Sequence, residues 1–172
     1  EQDAEHGIAV ANDGNYFNTK VSGDSSSYFK PVTEAGGTTA KVPFTYGIDL
    51  ENTYDLSRID LSFRCYNGSE AYYQYTVDVS NDKVNWNTVV DAGNNTEVGF
   101  TTHSLEGATA RYVRISVSKV LRADNNSSAS WAAGLVEMQV YGEEARIELK
   151  EGSGLTAQAF KIAGEEAVNN VL

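Results

Sequence analysis

The sequence predicts an all-β domain, an antiparallel β-sandwich of the jelly-roll type. Three observations carry that expectation. Apolar side chains recur at every second position in five separate runs. Polar, turn-forming segments separate those runs. Ten tyrosines and fifteen glycines beside only two prolines suit strands joined by many turns. Period two with one apolar face marks antiparallel strands that cover a core on one side.

In chain order, Phe44, Tyr46, Ile48 and Leu50 share one face of the first run. Ile59, Leu61, Phe63 and Cys65 share one face of the second, with Asp60, Ser62 and Arg64 opposite, which makes Arg64 the last outward residue before a loop. Tyr73, Tyr75, Val77 and Val79 form the third run, Val113, Ile115 and Val117 the fourth, and Val136, Met138 and Val140 the fifth. Asn67-Gly68-Ser69, Asn81-Asp82-Lys83, Gly93-Asn94-Asn95 and the stretch Arg122–Ser130 supply turns. No internal repeat is visible. Residues 1–142 are expected to form the domain, with strands from about residue 8 and no long helix. Residues 143–172 are expected to be a linker or the start of a neighbouring module, in which Ile147 and Leu149 could form a short strand.

Composition excludes several function classes. The chain of 172 residues holds 13 basic and 24 acidic side chains, a formal charge of −11. Neutralising nucleic-acid phosphates needs basic surface, so no nucleic-acid partner is expected, and an anionic membrane is disfavoured for the same reason. No stretch reaches the roughly 18 apolar residues of a spanning helix. One cysteine, Cys65, allows no intrachain disulfide. Its inward alternation makes it a small buried hydrophobe in preference to a nucleophile. No Gly-rich nucleotide loop, Gly-x-Ser-x-Gly elbow or His-Glu-x-x-His motif is present, and His6 and His103 are too few for a histidine-rich metal site. This fragment is not expected to be an enzyme. No secretory leader is visible, and a mature secreted chain would have lost one. The Asn-x-Ser/Thr triplets at Asn67, Asn94, Asn125 and Asn126 read first as surface-loop composition.

Several segments, in order, resemble the coagulation factor V/VIII type C, or discoidin, domains. Asp13-Gly14-Asn15 with Thr19 is similar to the family's opening "Asp-Gly-Asn … Thr". Ile48-Asp49-Leu50 followed by Tyr54-Asp55-Leu56-Ser57-Arg58-Ile59 resembles "Ile-Asp-Leu … Tyr-x-Leu-x-x-Ile". Tyr75 to Asp82 followed by Trp86 resembles the family's strand, Ser-x-Asp-Gly turn and Trp, with Lys83 in place of the Gly. Arg111-Tyr112-Val113-Arg114-Ile115 and Glu137-Met138-Gln139-Val140-Tyr141-Gly142 resemble its last two strand signatures. Val21 stands where the family usually has a tryptophan, and Ser22–Thr39 is long and polar against the family's compact version. Among relatives, bacterial family-32 carbohydrate-binding modules look closest, since the disulfide of the animal members is missing. The resemblance implies a galactose-binding-domain-like sandwich with a structural calcium and a loop-end sugar site.

Calcium takes six to eight oxygens. The turn Asn12-Asp13-Gly14-Asn15 packs such ligands densely. Glu137 sits in an apolar run, where a carboxylate needs a partner. By resemblance the calcium ligands are Asp13, Thr19 and Glu137; the alternative is an Asx-turn at Asp13 and an exposed Glu137.

Sugars offer an apolar C–H face and a hydroxyl rim, which aromatic rings and planar polar groups recognise. Trp131, in a polar loop with Asn125 and Asn126, is the leading ring. Arg64, Tyr72 and Tyr73 flank a second loop and are candidates of equal weight as contacts or as packed residues. Tyr28 and His103 read more readily as structural, as does Trp86. The expected function is a non-catalytic carbohydrate-binding module of a larger secreted, bacterial glycan-active enzyme. It is expected to be a monomer that takes a terminal sugar of galactose or N-acetylhexosamine type. The alternatives are a protein-binding adhesion domain, which calls for a broad apolar patch, and a spacer without ligand.

Overall fold

A computed structural model of the chain describes residues 7–14, 28–32, 39–65 and 70–145. Five strands carry the fold: β1 (Phe44–Phe63), β2 (Ala71–Ser80), β3 (Asn87–Ala92), β4 (Phe100–Arg122) and β5 (Leu135–Glu144). Their order is β3-β2-β4-β1-β5, and every pairing is antiparallel. The only helical segments among the described residues are short 3₁₀ turns, Ile8–Asn12 and Ser130–Ala132. β5 runs to Glu144, two residues past the expected domain end, and the tail from residue 146 lies outside the described residues.

Two strands are long enough to serve both layers. β1 pairs over Phe44–Asp49 with Tyr112–Val117 of β4, and over Tyr54–Ser62 with Phe100–Ala110. The register shifts between Asp49 and Tyr54, and again between Leu56 and Arg58. Glu51 at φ 70 and Gly107 at φ 86 lie at these bends. Strands that bend at such irregularities can pass from one layer of a sandwich to the other. The first layer is therefore β3, β2, the second half of β4 and the first half of β1. The second layer is the first half of β4, the second half of β1, and β5. Gly142 of β5 lies so close to β1 that a Cβ there would stand 2.6 Å from the Asp55 carbonyl oxygen.

The core lies between the layers. Phe63 of the second layer stacks on Tyr73 of the first, with centroids 4.3 Å apart and planes 13° from parallel, and tilts against Tyr75 at 5.2 Å. Ile59, Leu61, Val77, Val113, Ile115 and Met138 are fully buried around them, and each such side chain contributes about 1.5–3 kcal/mol by leaving water. Cys65 is buried as expected, its thiol 3.7 Å from the Ala71 carbonyl. The Tyr75 hydroxyl lies 2.6 Å from both Thr101 Oγ1 and His103 Nε2. Burial pushes this hydroxyl's pKa up to about 12 and lowers that of His103.

One expectation fails. Asp60, Ser62 and Arg64 alternate away from the core residues, yet all three are buried. Asp60 is engaged by Arg58 at 3.1 Å and by the Thr102 hydroxyl at 2.6 Å, and Arg64 lies under the ring of Tyr28. Alternation identifies two faces of a strand, but what covers the second face is a tertiary matter.

Candidate functional site

The loop that leaves β4 is built as a tight hairpin. Arg122 N–H donates to the Ser127 carbonyl at 2.9 Å, and Asn126 N–H to the Arg122 carbonyl at 2.9 Å. Asn126 takes φ 60, a conformation asparagine tolerates better than most residues. Asn125 Oδ1 accepts from Ser127 N–H at 2.9 Å, and Arg122 grips Asp124 through two bonds of 2.9 and 2.6 Å. Asp124, Asn125, Asn126, Ser127 and Ser128 are exposed. The chain then returns beside β4, where Ala129 N–H donates to the Val120 carbonyl, and coils into the 3₁₀ turn that carries Trp131. Trp131 is 51% exposed.

Beneath this loop the other candidates are packed. Arg64 is 5% exposed. Its Nη1 donates to the Ala132 carbonyl at 3.2 Å and its backbone N–H to the Gly134 carbonyl at 2.9 Å. The guanidinium carbon stands 4.2 Å from the centre of the Tyr28 ring. Tyr73 is 1% exposed; its hydroxyl donates to the Arg64 carbonyl at 2.7 Å and accepts from Gly134 N–H at 3.3 Å. Burial drives the pKa of that hydroxyl well above the ordinary tyrosine value. Tyr72 is buried too, and its hydroxyl donates to Asn126 Oδ1 at 2.9 Å.

The loops bearing Arg64 and Trp131 thus meet at one end of the sandwich, and Tyr72 ties Asn126 to the same end. Trp131, Asn125 and Asn126 reach the surface there. Arg64, Tyr72 and Tyr73 do not, which corrects the outward position expected of Arg64. Sequence reasoning missed Ala132 and Gly134, whose carbonyls receive Arg64. The available signal was the small-residue run Ala132-Ala133-Gly134 directly after the tryptophan.

A second constellation joins the chain's first turn to its last strand. Gly14 N–H, at φ 82, donates to Glu137 Oε1 at 3.1 Å. Gln139 Nε2 reaches the same oxygen at 3.3 Å. Glu137 is 1% exposed, and its Oε2 is buried without a hydrogen-bond partner among the described residues. Burial raises the Glu137 pKa, and the Asp13 charge adds to the rise against bonds from Gln139, Gly14 and Asp13 that lower it. A buried, half-satisfied carboxylate beside a second acid fits a hard cation that takes oxygen ligands. Among the described residues no three His, Cys, Asp or Glu side chains cluster, so backbone and hydroxyl oxygens would complete such a set. Thr19 lies outside the described residues.

Trp86 is held differently. Its indole N–H donates to the Lys83 carbonyl at 3.0 Å, and the Arg114 guanidinium lies 4.0 Å over the ring. Arg114 in turn bonds Asp78 at 3.0 Å.

Solved structures share this architecture. The module CpGH89CBM32-6 produced by Clostridium perfringens is 22% identical, with a TM-score of 0.54 over 83% of this chain and 88% of that one. Chitosan-binding module 2 of a chitosanase/glucanase from Paenibacillus sp. IK-5, in complex with chitotriose, is 23% identical, with a TM-score of 0.59 over 81% and 89%. CpGH89CBM32-4 from C. perfringens, in complex with GlcNAc-alpha-1,4-galactose, is 21% identical, with a TM-score of 0.51 over 82% and 85%. No curated protein matches the chain. Residues 2–134 match the F5/8 type C domain, whose members are non-catalytic binding modules, and the chain accordingly belongs to the F5/8 type C domain family and is not itself an enzyme.

Proposed function

We propose that this domain binds carbohydrate by stacking Trp131 on the apolar face of a terminal sugar, with Asn125 and Asn126 hydrogen-bonding its hydroxyl rim. One observation carries the proposal: a half-exposed tryptophan on a short loop whose flanking backbone is bonded to the buried layer below. A ring presented to solvent on an ordered loop is available for stacking, and a stacked ring suits the C–H face of a hexose. The exposed residues of the loop that leads to Trp131, Asp124–Ser128, are all polar, which favours a small sugar site over the broad apolar patch of an adhesion surface. The chitotriose complex of one structural neighbour supports carbohydrate as the ligand class, and the GlcNAc-alpha-1,4-galactose complex of another supports a sugar of galactose or N-acetylhexosamine type. Arg64, Tyr72 and Tyr73 belong to this site as its floor. Calcium held by Asp13, Thr19 and Glu137 with backbone carbonyls would supply stability and no chemistry. In a secreted bacterial glycan-active enzyme the module would raise local concentration at a glycan surface.

Glycan-array screening followed by calorimetry with chitotriose and GlcNAc-alpha-1,4-galactose tests this. Wild type is expected to bind at least one glycan, and Trp131→Ala to lose measurable binding while staying folded. A Trp131→Ala protein that binds at wild-type strength moves the site elsewhere on the domain.

A further inference from the structure

Given Trp131 as the stacking ring, on which the assignment rests, we infer that Arg64 is a positioning residue: it fixes the loop that carries the ring and does not touch the sugar. Arg64 is 5% exposed and lies against the loop from below, with bonds from both its side chain and its backbone. Its side chain donates to the Ala132 carbonyl at 3.2 Å, one residue past Trp131. Its N–H donates to the Gly134 carbonyl at 2.9 Å, and its own carbonyl receives the Tyr73 hydroxyl at 2.7 Å. That hydroxyl closes the circuit by accepting from Gly134 N–H at 3.3 Å. The Arg64 side chain therefore holds the Ala132 end of the segment Ala132–Gly134, next to Trp131, while its backbone, directly and through Tyr73, anchors the Gly134 end in every side-chain variant.

Packing leaves the segment little slack. A Cβ on Gly134 would stand 2.6 Å from Tyr28 Cδ2 and 3.1 Å from Arg64 Cδ. The Tyr28 ring covers the guanidinium at 4.2 Å. The strand that follows is paired to Phe29 through bonds of 2.7 and 3.0 Å between Phe29 and Leu135. A stacking ring must hold one height and tilt to meet a flat sugar face, and a loop ordered in advance spares the ordering cost on binding. Arg64 acts on affinity only through Trp131. Its loss must then weaken every glycan by a common factor and leave their ranking unchanged. A residue that read hydroxyls directly would change the ranking.

The two tryptophans make the test direct. Trp86→Phe leaves Trp131 the sole indole emitter. In that background Arg64→Met, Arg64→Lys and Gly134→Ala are compared by Trp131 anisotropy, by iodide quenching, and by calorimetry with chitotriose and GlcNAc-alpha-1,4-galactose. Arg64→Met should lower the anisotropy and weaken both sugars by about 3–10-fold with their affinity ratio held. Arg64→Lys, which keeps a donor toward the Ala132 carbonyl, should recover part of both effects. Gly134→Ala should reproduce the change in Trp131 emission with Arg64 intact. Unchanged Trp131 fluorescence in Arg64→Met overturns the assignment, and so does a shifted affinity ratio, which would make Arg64 a sugar contact. Where Arg64→Met does not fold, the lysine and alanine variants decide by the same readouts. A wild type that binds no glycan removes Trp131 as the stacking ring, while the fluorescence arm still decides whether Arg64 sets its orientation.

Discussion

Replacing Glu137 by Gln should reverse the stability order of two proteins when calcium is removed. The side chain is 1% exposed, and Oε2 has no hydrogen-bond partner among the described residues. Without a cation the carboxylate carries an uncompensated desolvation cost, for which about 1–3 kcal/mol is typical of one unsatisfied buried group. Gln keeps the oxygen that accepts from Gly14 N–H at 3.1 Å and removes the repulsion from Asp13. Stripped of metal, Glu137→Gln should match wild type or exceed it. With calcium at about 100 times its dissociation constant, wild type gains about 2.7 kcal/mol by mass action, and the variant loses that gain. For a chain of this size that is a rise in Tm of roughly 5–10 °C. Scanning calorimetry of both proteins, in chelator and in calcium, measures it. The sign of the pH dependence gives a second check. Burial raises the Glu137 pKa, so in stripped protein this group's stabilisation is full below the unfolded carboxylate value of about 4.3 and is lost as pH rises through the folded value. With calcium bound the slope inverts, because protons compete with the metal for the carboxylate. A stripped wild type whose melting ignores calcium refutes the reasoning, as does a variant that responds equally.

Two further substitutions test the fold. Phe63→Ala removes the ring stacked at 4.3 Å on Tyr73 between the layers and should cost about 3–5 kcal/mol in denaturant unfolding; a loss under about 1 kcal/mol would mean the layers do not meet there. Lys83 occupies φ 63 in the hairpin after β2, a conformation that costs a non-glycine residue roughly 1 kcal/mol. Lys83→Gly should therefore raise stability by up to about that amount, less the weak exposed contacts of Lys83 with Asp49 and Tyr112, and a clear loss in chemical denaturation would contradict it.

The core was legible because its signal is local. Ile59, Leu61 and Phe63, or Tyr73, Tyr75 and Val77, alternate with a period that only a strand satisfies, and all are buried. The first half of β4 was not read. Thr101, Thr102, His103 and Ser104 carry no apolar alternation, and the strand is held there by pairing to β1. β3 escaped for a related reason: its residues are mostly exposed at a sheet edge, with Ala92 alone buried. The runs 44–50 and 59–65 read as two strands because the polar residues between them look like a turn, whereas the chain bends there within β1. At the candidate site the ring was legible and its floor was not. Trp131 in a polar stretch stands out by composition, but the burial of Arg64 depends on Tyr28, distant in sequence, and on carbonyls of Ala132 and Gly134 that no side-chain pattern reveals. The resemblance motif at Ser80–Trp86 acquires a physical meaning here. The Asp82 carboxylate accepts from the Val84 and Asn85 N–H groups at 2.8 and 2.7 Å, and the family's glycine falls where the backbone turns to positive φ.

The two tryptophans should separate stability from binding. Trp86 is bonded through its indole N–H to Lys83 and lies under Arg114, whose guanidinium also pairs with Asp78. Asp78 is 6% exposed and takes a second bond from the Thr88 hydroxyl at 2.7 Å, which links β2 to β3. Trp86→Ala removes one neutral hydrogen bond, about 1 kcal/mol, and one partly exposed cation–π contact, about 0.5–1 kcal/mol. With the lost ring contact included, the total should be about 2–3 kcal/mol, because Arg114 also loses the surface that holds it against Asp78. Sugar affinity should stay at the wild-type value, since the Ser80–Trp86 hairpin shares no described hydrogen bond with the Trp131 loop. Trp131→Ala should do the reverse. The ring is half in solvent, so stability should move by no more than about 1.5 kcal/mol, half of what full burial of a large apolar side chain contributes, while binding is lost. Chemical denaturation and calorimetry on the same two variants provide all four numbers. The assignment fails if Trp131→Ala unfolds the domain, or if Trp86→Ala removes sugar binding from a protein that remains folded.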